Sequence, residues 1–212
     1  NTSDTQLVED LSKLSNISLL NKFIRMCTLP DIDIENYFKL IRSKILFYEF
    51  NEMEYLKVKT FIISLSMQCL LNEFLYEEDQ SEINFISDIE KKICKNINDG
   101  KNDIEINVMK LSLYRNLVSY SWVDKILKLK INKEIKKIIE ELMYEKELSS
   151  KIQSFGKLNN GVSKIVKFQY EENPYPRWFK PTIVKKGMSI NEFVKNLDLN
   201  VSDDYEAIEY PE

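Results

Sequence analysis

The chain contains no histidine. That removes the commonest general base, the Ser-His and Cys-His nucleophile pairs, and most transition-metal sites. Three cysteines, Cys27, Cys69 and Cys94, are an odd number spread through apolar stretches. They read as buried free thiols of a reducing compartment, with neither a disulfide framework nor zinc-ligand spacing. No glycine-rich phosphate loop and no G-x-S-x-G is present, and the serines and threonines have no base beside them. The longest uncharged run, Thr60 to Asn72, is too short to span a bilayer. No secretory signal opens the chain, which gives the expectation of a soluble, cytoplasmic protein without a membrane partner.

Glycine and proline are scarce, four and five among 212 residues, and they are unevenly placed. Residues 1–155 hold only Gly100 and Pro30, whereas the rest fall in 156–212. So few breakers over so long a stretch predict helices joined by short turns. A net charge of −4 gives no general attraction to nucleic acid or to anionic lipid.

Hydrophobic spacing agrees with helices. Ile83, Ile86, Ile89, Ile93 and Ile97 recur at a helical period, as do Ile131, Ile135, Ile138, Ile139 and Leu142. Tyr55 to Tyr76 is apolar nearly all round, as expected for the central helix of a bundle. Caps are expected at Asp33 before Ile34–Phe47, at Ser81 before Glu82–Ile97 and at Asp103 before Ile104–Leu113. Ser189 with Glu192 forms a capping box for a short helix, 190–197. The fold class is therefore all-α: an irregular helical bundle of about seven to nine helices over residues 1–160. Residues 161–212 would follow as a helix, 162–172, and an extended C-terminal arm. No repeat of solenoid length is present.

Three features could carry chemistry. Asp31, Asp33 and Glu35 alternate with isoleucines, but acids at a helix start are expected from capping and the macrodipole rather than from a metal site. Lys125, Lys128, Lys130, Lys133, Lys136 and Lys137 form a basic stretch near Trp122. Its plain reading is a solvated helix face, with nucleic acid the weaker alternative. Gln68 and Asn72 lie one turn apart in the central helix. As buried amides they must find partners, which makes them structural support for a register or a site.

Gln169 to Lys180, Q-Y-E-E-N-P-Y-P-R-W-F-K, is the densest segment. Pro174 and Pro176 bracket Tyr175 and force an extended backbone. Such a strap is either a linker packing Tyr175 and Trp178 into the bundle, or one wall of a pocket formed with a following domain.

This strap, preceded by Val162-Ser163, resembles the junction ahead of the catalytic domain in bacterial class I S-adenosylmethionine-dependent methyltransferases that carry tetratricopeptide repeats. Met67-Gln68-Cys69-Leu70-Leu71-Asn72-Glu73-Phe74 is similar to a second segment of that family, and Leu29 to Glu35 followed by Arg42 to a third. The resemblance spans roughly residues 28–212 and is specific in the strap. It implies a non-catalytic helical accessory domain, with Tyr170, Glu171, Asn173, Tyr175, Arg177 and Trp178 facing substrate or cofactor. Its partner would be a C-terminal methyltransferase domain missing from this sequence, and a protein could be the substrate. S-adenosylmethionine would belong to the parent protein, because the glycine-rich turn that holds it is not in these residues. Residues 1–212 alone are expected to bind no cofactor or metal and to be inactive. The competing class is a helical protein–protein interaction module with no active-site role, marked by an exposed apolar patch away from the strap.

Overall fold

The computed structural model describes residues 2–29, 31–101, 104–152 and 161–172. Among these the chain is all-helical, with no strand: α1 (Thr2–Asn16), α2 (Ser18–Ile24), α3 (Ile32–Phe47), α4 (Glu52–Leu71), α5 (Gln80–Asn98), α6 (Glu105–Ser112), α7 (Val123–Leu127), α8 (Lys133–Lys151) and α9 (Gly161–Glu172). A single 3-10 turn, Leu117–Ser119, precedes α7. By packing, one compact unit runs to Arg177, and the second, Trp178–Glu212, lies wholly outside the described residues.

Helix α4 is the axis. It starts at a reciprocal capping box, in which Asn51 Oδ1 accepts from Glu54 N at 2.9 Å and Glu54 Oε2 accepts from Asn51 N at 3.0 Å. From Phe61 to Leu71 every side chain is buried, so over this stretch no face of the helix is left for water. Each large apolar side chain so buried is stabilised by about 1.5–3 kcal/mol relative to exposure. Helix α1 lies along it, pinned by Ser15, whose hydroxyl donates to the Val58 carbonyl at 3.0 Å and accepts from Phe61 N at 3.2 Å. The corner between α1 and α2 is closed by buried Asn21, whose amide donates to the carbonyls of Leu14 and Ile17. On α5 and α8 the isoleucine stripes face inward: Ile86, Ile89 and Ile93 on one, Ile135, Ile139 and Leu142 on the other. Arg25 joins α2 to α8 through Glu134 at 2.6 Å and to α4 through Ser64 at 2.9 Å.

Two predicted caps move. Helix α3 is capped by Asp31, not Asp33; its carboxylate accepts from the amides of Asp33 and Ile34 at 3.0 and 3.1 Å. Asp33 and Glu35 sit in the first turn, where the helix dipole favours them. Helix α5 starts from Asp79, not Ser81, with Glu82 completing the capping box, while the Ser81 hydroxyl donates to Asp79. In both cases an acid two residues upstream had the better reach to the third amide. The expected cap Asp103 and the short helix at 190–197 fall outside the described residues.

The central helix also ends earlier than its apolar run, at Leu71 rather than Tyr76. Glu73 and Phe74 both take positive φ, 54° and 58°, and Phe74 N donates back to the Cys69 carbonyl at 2.8 Å. This is a left-handed helix stop made without glycine, which costs a non-glycine residue about 1–2 kcal/mol.

Candidate functional site

The strap itself, with Asn173, Tyr175, Arg177 and Trp178, lies outside the described residues. Tyr170 and Glu171 fall in the last turn of α9, and their side chains are likewise outside the description. Gln68 and Asn72 are placed, and both are buried as expected.

With its amide nitrogen turned inward, Gln68 donates to the carbonyls of Ile24 and Cys27 at 2.6 and 3.0 Å. These are the last carbonyls of α2 and of the turn after it, so the amide holds that end of the helix to α4. Replacing it, as in Gln68→Leu, should cost about 1–3 kcal/mol by leaving buried carbonyls unpaired. Hydrogen exchange would then accelerate in α2 before the other helices, a pattern absent if the amide were mere filling.

Asn72 belongs to a larger polar cluster centred on Arg42, the largest fully buried side chain described. Its guanidinium lies 4.0 Å from the Tyr114 ring centroid and 5.4 Å from that of Tyr76. Nη2 donates to the carbonyls of Glu77 and Tyr76 at 2.9 and 3.3 Å. Nε and Nη1 have no protein partner, nor has Asn72 Oδ1. Tyr114 in turn donates to buried Glu82 at 2.6 Å. Sequence reasoning missed this node. Arg42 stands at a core-facing position of α3, between Phe38, Ile41 and Ile45, and a lone arginine inside an apolar stripe was the available signal.

The same pairing of phenol and carboxylate recurs. Tyr55 donates to Glu105 at 2.8 Å, and Tyr120, stacked on Trp122, donates to Glu90. Burial first, then the bonded carboxylate, pushes the phenols of Tyr55, Tyr114 and Tyr120 well above their ordinary range. Burial also raises the Cys69 thiol to about 12, against the opposing pull of Arg42. These groups hold their protons at neutral pH, so the cluster is built for stacking and hydrogen bonding, not for nucleophilic attack. Cys69 is buried as expected; Cys27 and Cys94 are only half-buried. Among the described residues, no group of three or more Cys, Asp or Glu could hold a metal, and no helix is long and apolar enough to cross a membrane.

The basic stretch places one lysine on a part-buried carbonyl and another in an exposed ion pair. Lys136 donates to the Leu127 carbonyl at 2.7 Å, Lys137 lies 3.7 Å from Glu141, and Trp122 is buried.

The surface offers something the sequence did not locate. Along α2, the turn after it and α3, Leu19, Phe23, Met26, Ile34, Tyr37, Leu40 and Phe47 are all exposed. Phe23 and Ile34 border a cleft of 380 Å³ whose floor reaches Phe61 of the central helix. Tyr37 separates it from a second, larger groove of 790 Å³ between α1 and α3, lined by Leu7, Leu40 and Phe47 with Asp10, Lys44 and Glu49. Comparison of the chain with protein-family models, with curated proteins and with solved structures found no match.

Proposed function

We propose that this chain is a non-catalytic helical accessory domain of an S-adenosylmethionine-dependent methyltransferase, packing on a catalytic domain and shaping its substrate side. The observation that supports it most is the strap, Q-Y-E-E-N-P-Y-P-R-W, at residues 169–178. A second support comes from packing. Arg42, which follows the Leu29–Glu35 segment, is close enough to act on Cys69 of the Met67–Phe74 segment, and Arg42, Glu35 and Asn72 all act on Tyr76. Two stretches that resemble the family on separate grounds thus meet in one buried node.

Methyl transfer from a sulfonium needs in-line placement of the acceptor and exclusion of water more than it needs acid–base groups. A rigid strap carrying Tyr175 and Trp178 suits such a wall, and S-adenosylmethionine would then bind in the catalytic domain. In the parent protein, Tyr175→Ala with Arg177→Ala should lower turnover or cofactor affinity at least about tenfold, as expected when a positioning contact is lost. Unchanged kinetics would reduce the strap to packing and remove the reading's main support.

The apolar surface on α2 and α3 favours a second reading, a helical protein–protein interaction module. The exposure of Leu19, Phe23 and Met26, at 79, 53 and 67 %, is the specific observation behind it.

A further inference from the structure

The chain carries an apolar groove and also an amphipathic helix whose apolar side is uncovered. In α9, Ile165 and Phe168 are 70 and 64 % exposed, and Val166 is exposed beside them. Ile165 and Phe168 stand three residues apart, so they project from one side of the helix, the spacing by which a helix anchors in a groove. The helix has 12 residues and is about 18 Å long. The exposed apolar row of α3, from Ile34 to Phe47, is about 20 Å long. Charge adds little: the two clefts are bordered by Asp10, Asp33 and Glu49 against one cation, Lys44, and α9 carries Lys164 and Lys167 in its first two turns but Glu171 and Glu172 at its end.

Reach decides whose groove is filled. Leu142 of α8 packs with Leu70 near the end of α4, and Lys151 lies about 13 Å further along α8. Phe61, in the floor of the cleft, lies about 13 Å from Leu70 toward the start of α4. Arg25 bonds both Glu134, at the start of α8, and Ser64 of α4, so the two helices run in the same direction. The end of α8 is thus roughly 26 Å past the cleft along the axis, before any sideways offset of about 10 Å per helix. Ten residue steps, from Lys151 to Gly161, span at most about 35 Å when fully extended. Docking α9 into its own groove would draw that connection nearly taut, whereas a second copy meets no such limit.

We infer that the α2–α3 groove receives α9 of a second copy of this chain, in a two-fold dimer in which each copy fills the other's groove. Reciprocal exchange closes the assembly and leaves no groove open for further growth. This inference does not depend on the methyltransferase reading.

Sedimentation velocity on the 212-residue chain tests it, with far-UV circular dichroism as the control for folding. The intact chain should dimerise, and Phe168→Asp on the helix or Phe23→Asp in the groove should each weaken the dimer at least about 30-fold. Both positions are exposed, so neither substitution should unfold the bundle. Mixing the two variants should restore part of the association, because one intact helix still meets one intact groove. A monomer at all concentrations, a dimer indifferent to either substitution, or a mixture that stays monomeric would each overturn the proposal. Reach would have been misjudged if the chain were monomeric while α9 resisted hydrogen exchange in a manner lost in Phe23→Asp.

Discussion

Alkali should unfold this chain at about pH 11, because two buried phenols and a buried thiol can lose their protons readily only when the fold opens. In an unfolded chain phenols lose their protons at about pH 10 and thiols at about pH 8.5. In the fold Tyr55 and Tyr114 are held far above that by burial and by their bonds to Glu105 and Glu82, and Cys69 is held to about 12 by burial. A group whose pKa is raised by folding contributes stability that is whole below its unfolded value and is lost as pH climbs toward its folded one. Loss therefore starts at about pH 8.5 for Cys69 and at about pH 10 for the tyrosines. Each group removes about 1.4 kcal/mol per pH unit within its window. By about pH 11 the three together have removed roughly 6 kcal/mol, comparable with the whole stability of a typical domain. Tyr76 and Tyr120 are shifted in the same direction and add less, since solvent screens them. The tyrosinate absorbance of Tyr55 and Tyr114, read as the difference between the chain and its Tyr55→Phe, Tyr114→Phe variant, should appear together with the loss of ellipticity. A difference signal that rises gradually from about pH 10 with the helices intact would show that these two phenols are not held as described.

Arg42 should separate two kinds of loss. Arg42→Ala removes a side chain with no exposed surface, opens a cavity beside Tyr114, and takes the donor from the carbonyls of Tyr76 and Glu77. The expected cost is about 3–5 kcal/mol, read as a lower midpoint in urea with an unchanged slope. Arg42→Met fills most of the space and also relieves the burial of a charge with two unpartnered nitrogens, so its cost should be only about 1–2 kcal/mol. If both variants lost the same amount, the charge rather than the packing would be holding the loop. If neither lost more than about 1 kcal/mol, the node would be incidental to stability.

The helices were legible because their signals repeat. The isoleucine stripes of α5 and α8 and the apolar second half of α4 each state their burial several times over, and the structure buries most of them; Ile83, read into the stripe of α5, is instead exposed, and Ile97 and Ile138 are half-buried at the stripes' edges. The caps were less legible, because Asp31 and Asp33 on one helix, and Asp79 and Ser81 on another, compete for the same amides and only backbone geometry chooses between them. Gln68 and Asn72 declared themselves as polar residues on an apolar helix, but their partners come from α2 and from the loop after α4, which no local pattern reveals. Arg42 was hidden for the same reason. The α2–α3 surface was invisible because exposed leucine and phenylalanine look in sequence like buried ones.

The reversal after α4 and the arginine beneath it belong to one device. Glu73 and Phe74 are wound the wrong way for side-chain-bearing residues, so that turn is a loaded spring. Arg42, gripping the next two carbonyls at Tyr76 and Glu77, is its latch. Released, the spring would unwind residues 72–79 and take with it the first turn of α5, whose cap Asp79 and buried Glu82 hang from the same loop. The bundle would then open from this corner inward, with its long axis the last part to yield.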